Sequence, residues 1–150
     1  MISTSHAAAA AEPRTAGFLV NIDVDDVDRA VAFYVDAFRL RVGRRFGTVG
    51  VELLGGSAPV YLLAKAAGSV ASPAGSQRRS YDRHWTPVHL DFVVDDIDDA
   101  VHRAVVAGAR IESPVSQSVW GKLALMADPF GHGFCFVQFI GRGYDEIVGN

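Results

Sequence analysis

Cysteine is almost absent from this sequence: Cys135 is the single one in 150 residues. An intramolecular disulfide is therefore excluded, and a reducing compartment, the cytoplasm, is the expected setting. No apolar run approaches the roughly 18 residues of a membrane-spanning helix, so no membrane partner is expected. Charge of either sign is sparse. Fourteen Lys and Arg stand against 17 Asp and Glu, for a net charge of −3. The basic pieces Gln77-Arg78-Arg79 and Arg41 with Arg44-Arg45 are too short to suggest nucleic acid and read as solvated surface. The opening stretch, MISTSHAAAAAEPRTAG, has no basic start and only five alanines as an apolar core. Residues 1–16 read as a disordered tail, not as a secretion signal.

The composition that remains, 49% hydrophobic and 21% charged, is that of a folded globular chain. Its most informative feature is a repeat. VDDVDRAV at residues 24–31 returns as VDDIDDAV at 94–101, with six of eight positions identical. Ahead of the first octet, Phe18, Val20, Ile22 and Val24 alternate with polar residues, the period of a half-buried strand. After it, Val27, Ala30, Val31, Tyr34 and Phe38 recur at three and four, the period of an amphipathic helix. Asp25 and Asp26 stand where an N-cap belongs. The second copy repeats the pattern: a strand with Leu90, Phe92 and Val94 on one face, Asp95 and Asp96 as the cap, and Ile97, Ala100, Val101, Ala104 and Val105 on a helix. Gly108 follows as a terminator.

Three strand-like runs come after each helix, at about 40–46, 48–54 and 59–65 and then at about 110–119, 122–127 and 133–140. Each half therefore reads β-α-β-β-β. The domain plan is a first module over 17–65, a linker loop over 66–86, a second module over 87–141 and a C-terminal tail over 142–150. The fold class is α+β: two tandem modules forming a cupped eight-stranded mixed sheet with helices outside.

The octets, this element order and the closing D-P-F-G-H-G-F-C-F-V-Q-F resemble the vicinal oxygen chelate superfamily, which includes glyoxalase I, extradiol dioxygenases, fosfomycin-resistance enzymes and bleomycin-resistance proteins. The resemblance covers about residues 17–140. It implies a homodimer and, in metal-dependent members, ligands on the first and last strand of each half. Carried onto this chain, those positions are Leu19, Tyr61, His89 and Cys135. Leu19 offers no donor atom, and no carboxylate stands on the fourth strand.

His89 and Cys135 are the two candidate metal ligands, for zinc, nickel, manganese or iron. The alternative places His89 in the lining of a pocket, and a third leaves it as a core residue. Asn21 and Asp91 share the inward parity. Trp120, at the tip between the sixth and seventh strands, and Trp85, in the linker, read either as stacking surfaces for a flat ligand or as aromatic filling of the core or of the interface between halves. Glu52 on the third strand reads as solvent-facing or as a base in the cup, and His132 and His102 as exposed. Two functions follow, with a metal-free enzyme that polarises its substrate through His89, Tyr61 and Asn21 as a third. One is a protein that binds a small aromatic or amphipathic molecule in the cup without the usual metal set. The other is a metal-dependent lyase or dioxygenase using His89 with a non-standard ligand set. The chain leaves open whether it is an enzyme.

Overall fold

The computed structural model describes residues 15–149; most of the segment read as an N-terminal tail lies outside the described residues. The elements follow the expected order twice. The first module is β1 (Val20–Val24), α1 (Val27–Phe38), β2 (Arg41–Arg45), β3 (Gly50–Leu54) and β4 (Val60–Ala64). The second is β5 (Leu90–Val93), α2 (Ile97–Ala107), β6 (Arg110–Ser118), β7 (Gly121–Ala127) and β8 (Gly133–Phe139). A 3-10 turn, Gly143–Glu146, follows β8.

The eight strands form two four-stranded mixed sheets of matching order, β1-β4-β3-β2 and β5-β8-β7-β6. In each, the first strand runs parallel to the last and the other pairings are antiparallel. Among the described residues the sheets share no backbone ladder, and β1 and β5 keep one unpaired edge each.

The repeat extends to the helix starts. Asp26 and Asp96 both sit at φ −134°, ψ 104°, and each carboxylate accepts the N–H three residues on, from Arg29 and from Asp99, at 3.0 Å. This cap satisfies a donor that the helix leaves free and opposes the dipole. The helix ends differ. Gly108 terminates α2 in the left-handed region, whereas Arg39 takes that conformation after α1 at φ 56°.

One core joins both halves. Ile22 and Val24 of β1, Val51, Leu53 and Leu62 of the first sheet, Phe33 and Tyr34 of α1, Ile97, Ala100 and Ala104 of α2, and Met126, Phe134 and Phe136 of the second sheet are all buried in it. Phe38, at the end of α1, stacks on Phe92 of β5 at 4.0 Å and meets the rings of Phe134 and Phe136. The helix-facing side of each sheet is thus committed to packing, and chemistry is left to the opposite faces. No helix among the described residues is long and apolar enough to cross a membrane.

Candidate functional site

Strand register places corresponding trios on the two faces turned away from the helices. On the first sheet Tyr61 lies between Asn21 and Glu52. On the second, Cys135 lies between Asp91 and Leu125. Equivalent positions thus carry different chemistry in the two halves.

The first face is ionic. Glu52, only 5% exposed, is buried rather than solvent-facing. Its carboxylate accepts from Arg44 Nε at 2.9 Å, Arg44 Nη2 at 2.5 Å and the Tyr61 hydroxyl at 2.8 Å. The Arg44 backbone N–H adds a fourth contact at 3.2 Å. A bulge in β2 makes this possible, because the register slips between Val42 and Arg45. Gly43 sits in that bulge, and a Cβ there would fall 2.6 Å from Glu52 Oε2. A glycine inside a strand was the available sign of this site. The Arg44 guanidinium also lies over the Phe46 ring, which stacks loosely on Tyr61.

Hydrogen bonds from Arg44, then from Tyr61, lower the Glu52 carboxyl from an ordinary 4.5 to about 2. A carboxyl depressed in the folded state stabilises the fold above its unfolded value, and that contribution fades as pH falls through the folded value. Glu52→Gln should therefore be less stable than the parent at neutral pH. In urea titrations the gap should narrow as pH falls from 4.5 toward about 2; a gap independent of pH would contradict the assignment.

The second face is softer. His89 Nε2 lies 3.2 Å from Asp91 Oδ1. Donor atoms of His89, Asp91 and Cys135 all fall within 4.8 Å of one another. Burial first, and then the Asp91 carboxylate, push the Cys135 thiol up to about 12. A thiol held protonated is a poor nucleophile. Alkylation of Cys135 by iodoacetamide at mild alkaline pH should be at least about a hundredfold slower than that of a free cysteine. A rate near that of the free amino acid would mean the thiol is neither buried nor shielded.

Beside this cluster is a cavity of about 130 Å³ lined by Arg83, Trp85, Thr86, His89, Leu125 and Cys135 among others. Arg83 forms its charged rim and is clamped by Glu112 at 2.5 and 2.7 Å. Each raises or lowers the other's pKa in favour of the ion pair. Neither residue stood out in the sequence, because their pairing joins the linker to β6. A larger groove, about 650 Å³, runs along β5 beside Phe18, Val20, Phe38 and Phe136.

Of the residues singled out in the sequence, His89, Asp91 and Cys135 come together. Tyr61 belongs to the Glu52 cluster on the other sheet, and Asn21 is exposed beside it. Trp120 packs against Phe139 and Tyr144 and does not line the cavity. His102 is exposed as expected, but His132 is half-buried and hydrogen-bonded. Leu19 lies just ahead of β1, half exposed, with no donor to offer. The usual four-ligand metal set is thus not met by these residues. The His89, Asp91 and Cys135 trio has the nitrogen, oxygen and sulfur donors that suit a zinc-like ion with one open position.

A family model described as a glyoxalase-like domain matches residues 19–137. An uncharacterized protein of Mycobacterium bovis is 30% identical over 140 residues, covering 91% of this chain and 90% of its own. TioX from Micromonospora sp. ML1 is 25% identical with a TM-score of 0.59, covering 84% of this chain and 98% of that one. The fosfomycin resistance protein FosX from Listeria monocytogenes shares the fold, with a TM-score of 0.64 at 14% identity over 85% of this chain and 96% of its own.

Proposed function

The chain belongs to the glyoxalase-like domain family, and on that premise we propose that it binds a small, flat, largely apolar molecule against the second sheet, without the family's usual metal set. The observation that carries this is the cavity beside β5 and β8. It offers Trp85 and Leu125 as apolar surface, His89 as a polar anchor and Arg83 as a charged rim. Concave, mostly apolar sites with a few fixed polar groups suit ligands of this kind. The Leu19 and Tyr61 positions support the same reading, since neither supplies a metal donor in the expected place.

The test is a thermal-shift screen of aromatic and amphipathic compounds, repeated on His89→Ala and Leu125→Asp. Binders should raise the melting temperature of the parent, and either substitution should weaken them at least about tenfold, which is roughly 1.4 kcal/mol. Hits that bind both variants as well as the parent would remove the cavity from consideration.

A second reading rests on one specific observation, the convergence of His89, Asp91 and Cys135. These three residues would hold a zinc-like ion, and such an ion would supply Lewis-acid chemistry. Elemental analysis of the purified protein, followed by titration with zinc, nickel, manganese and iron(II), decides between the two. A stoichiometric metal lost in Cys135→Ala would favour this reading.

The family premise and the free edges of β1 and β5 also support a homodimer. Phe18, Leu19 and Val93 are exposed beside those edges, and unpaired edges with apolar neighbours favour pairing with a second copy. Light scattering after gel filtration measures the mass directly.

A further inference from the structure

We propose that His84 and His132 form a proton-sharing latch between the linker and the turn before β8, and that a fourth proton on this pair opens the wall of the cavity. The geometry of the latch is independent of any ligand; only its consequence rests on the cavity being the binding site.

Three contacts lie in series. His132 Nε2 is 2.8 Å from the Asp23 carbonyl oxygen. His132 Nδ1 is 3.1 Å from His84 Nε2. His84 Nδ1 is 3.0 Å from the Asp82 carbonyl oxygen. Carbonyl oxygens only accept, so each end of the series needs an N–H from a ring. The central contact needs a third N–H, from either ring. Two neutral imidazoles carry one N–H each. The complete series therefore requires three ring protons and one shared positive charge. With two protons, one contact has no hydrogen. With four, two N–H groups face each other between two imidazolium ions. One protonation state alone satisfies every contact.

The neighbouring charges are already engaged. From β1, the Asp23 carboxylate pairs with Arg79 at 2.6 Å. From the turn, Asp128 accepts from the Tyr34 hydroxyl and from two backbone N–H groups. From the linker, Asp82 accepts from the Ser80 hydroxyl, and Arg83 is clamped by Glu112 of β6. The Tyr81 ring stands edge-on to His132, and its hydroxyl donates to the Lys65 carbonyl. Burial, followed by the charges of Asp23 and, more weakly, Asp25, keeps that phenol protonated beyond its ordinary range. Among these groups none is a free carboxylate in contact with the pair that would compensate a second imidazolium.

The latch bears on the cavity through chain connectivity. His84 lies between Arg83 and Trp85, both of which line it. The His84 N–H donates to the Gly131 carbonyl at 3.1 Å. At Gly131 the backbones of linker and turn nearly touch, since a Cβ there would lie 2.2 Å from the Asp82 oxygen. Because His84 is also tied to this turn through its own backbone N–H, repulsion across the pair loads the contact between linker and turn, and the Arg83–Trp85 wall is next to it in the chain.

The experiment uses the full chain labelled with ¹⁵N-histidine and titrated between about pH 8 and pH 5, the range where imidazole protonation is read. Long-range ¹H–¹⁵N spectra count protonated ring nitrogens while hydrogen exchange follows the amides of residues 80–86. The expected result is three protonated nitrogens of the four in the protected state. Uptake of the fourth should speed exchange at the His84 amide, taken relative to the intrinsic rate at each pH, at least about tenfold. Trp85 emission, read in a Trp120→Phe background, should change with it. Two protonated nitrogens in the protected state would overturn the proposal, as would uptake of the fourth without faster exchange. His132→Asn should abolish the pH-dependent step; a step that survives in the folded variant would also overturn it. If that variant fails to fold, the titration of the parent still decides. None of these readouts needs a ligand, so failure of the latch and failure of the binding site are separate results.

Discussion

Asp128→Ala should lower the unfolding free energy by about 3 to 5 kcal/mol, a large share of what a domain of this size possesses. Asp128 is 3% exposed. One carboxylate oxygen takes the Tyr34 hydroxyl at 2.7 Å, and the other takes the backbone N–H of Phe130 and of His132 at 2.8 and 2.9 Å. Truncation leaves the hydroxyl and both amides without their partners in a largely buried site. The loss is large because it strands donors, not because each bond is individually strong. It also removes a contact between distant parts of the chain, since Tyr34 is on α1 of the first module and Asp128 begins the turn into β8. Urea unfolding followed by far-UV circular dichroism measures it. Asp128→Asn keeps an acceptor for the hydroxyl or for the amides and should fall between the parent and Ala. A loss under 1 kcal/mol in the Ala variant would mean that the turn relaxes to pair its own amides.

Phe38→Ala should cost about 3 kcal/mol, within the range for removing a packed aromatic ring. Phe38 is the last residue of α1, yet its ring is surrounded by the second module: Phe92 at 4.0 Å, Phe134 at 5.1 Å and Phe136 at 5.6 Å, with Tyr34 of its own helix at 5.3 Å. Burial and the stacked geometry both contribute. The ring borders the groove along β5, so its removal enlarges an existing space instead of opening a sealed one, and this holds the expected loss below the upper end of the range. Phe38→Leu should recover roughly half by filling the volume without the ring. If the modules were only loosely associated, Phe38→Ala would leave the urea midpoint almost unchanged.

The sequence was legible where local physics repeats. Two octets with the same alternation before them and the same three-four spacing after them specify strand, cap and helix. Asp26 and Asp96 adopt the same backbone angles as a result. Gly108 ends α2 as its lack of a side chain allows. What could not be read were contacts between segments far apart in the chain. Glu52 looks like a solvent-facing strand residue until the bulge at Gly43 brings Arg44 onto it, and a bulge depends on pairing, not on composition. His132 looks exposed until Asp23 and His84 arrive from 109 and 48 residues away. Trp120 has the right chemistry for stacking on a ligand, but Phe139 and Tyr144 take up its ring. His89, Asp91 and Cys135 could be expected together because Asp91 lies on β5, His89 immediately ahead of that strand, and Cys135 on its parallel neighbour, an arrangement the repeat itself implies.

The linker between the modules is uneven along its length. Residues 72–77 lie exposed in a small hairpin that touches the body through Arg79, whereas Tyr81 to His84 are pressed against the β7–β8 turn, where Gly131 leaves no space for a methyl group. Added or deleted residues near Gly75 change only the length of an excursion into solvent. The same change at Asp82 shifts every later position against a surface that has no slack. The duplicated halves therefore have a site where their spacing is adjustable and, a few residues on, a fixed point that sets their phase, so the length of this connection can drift without the halves losing alignment.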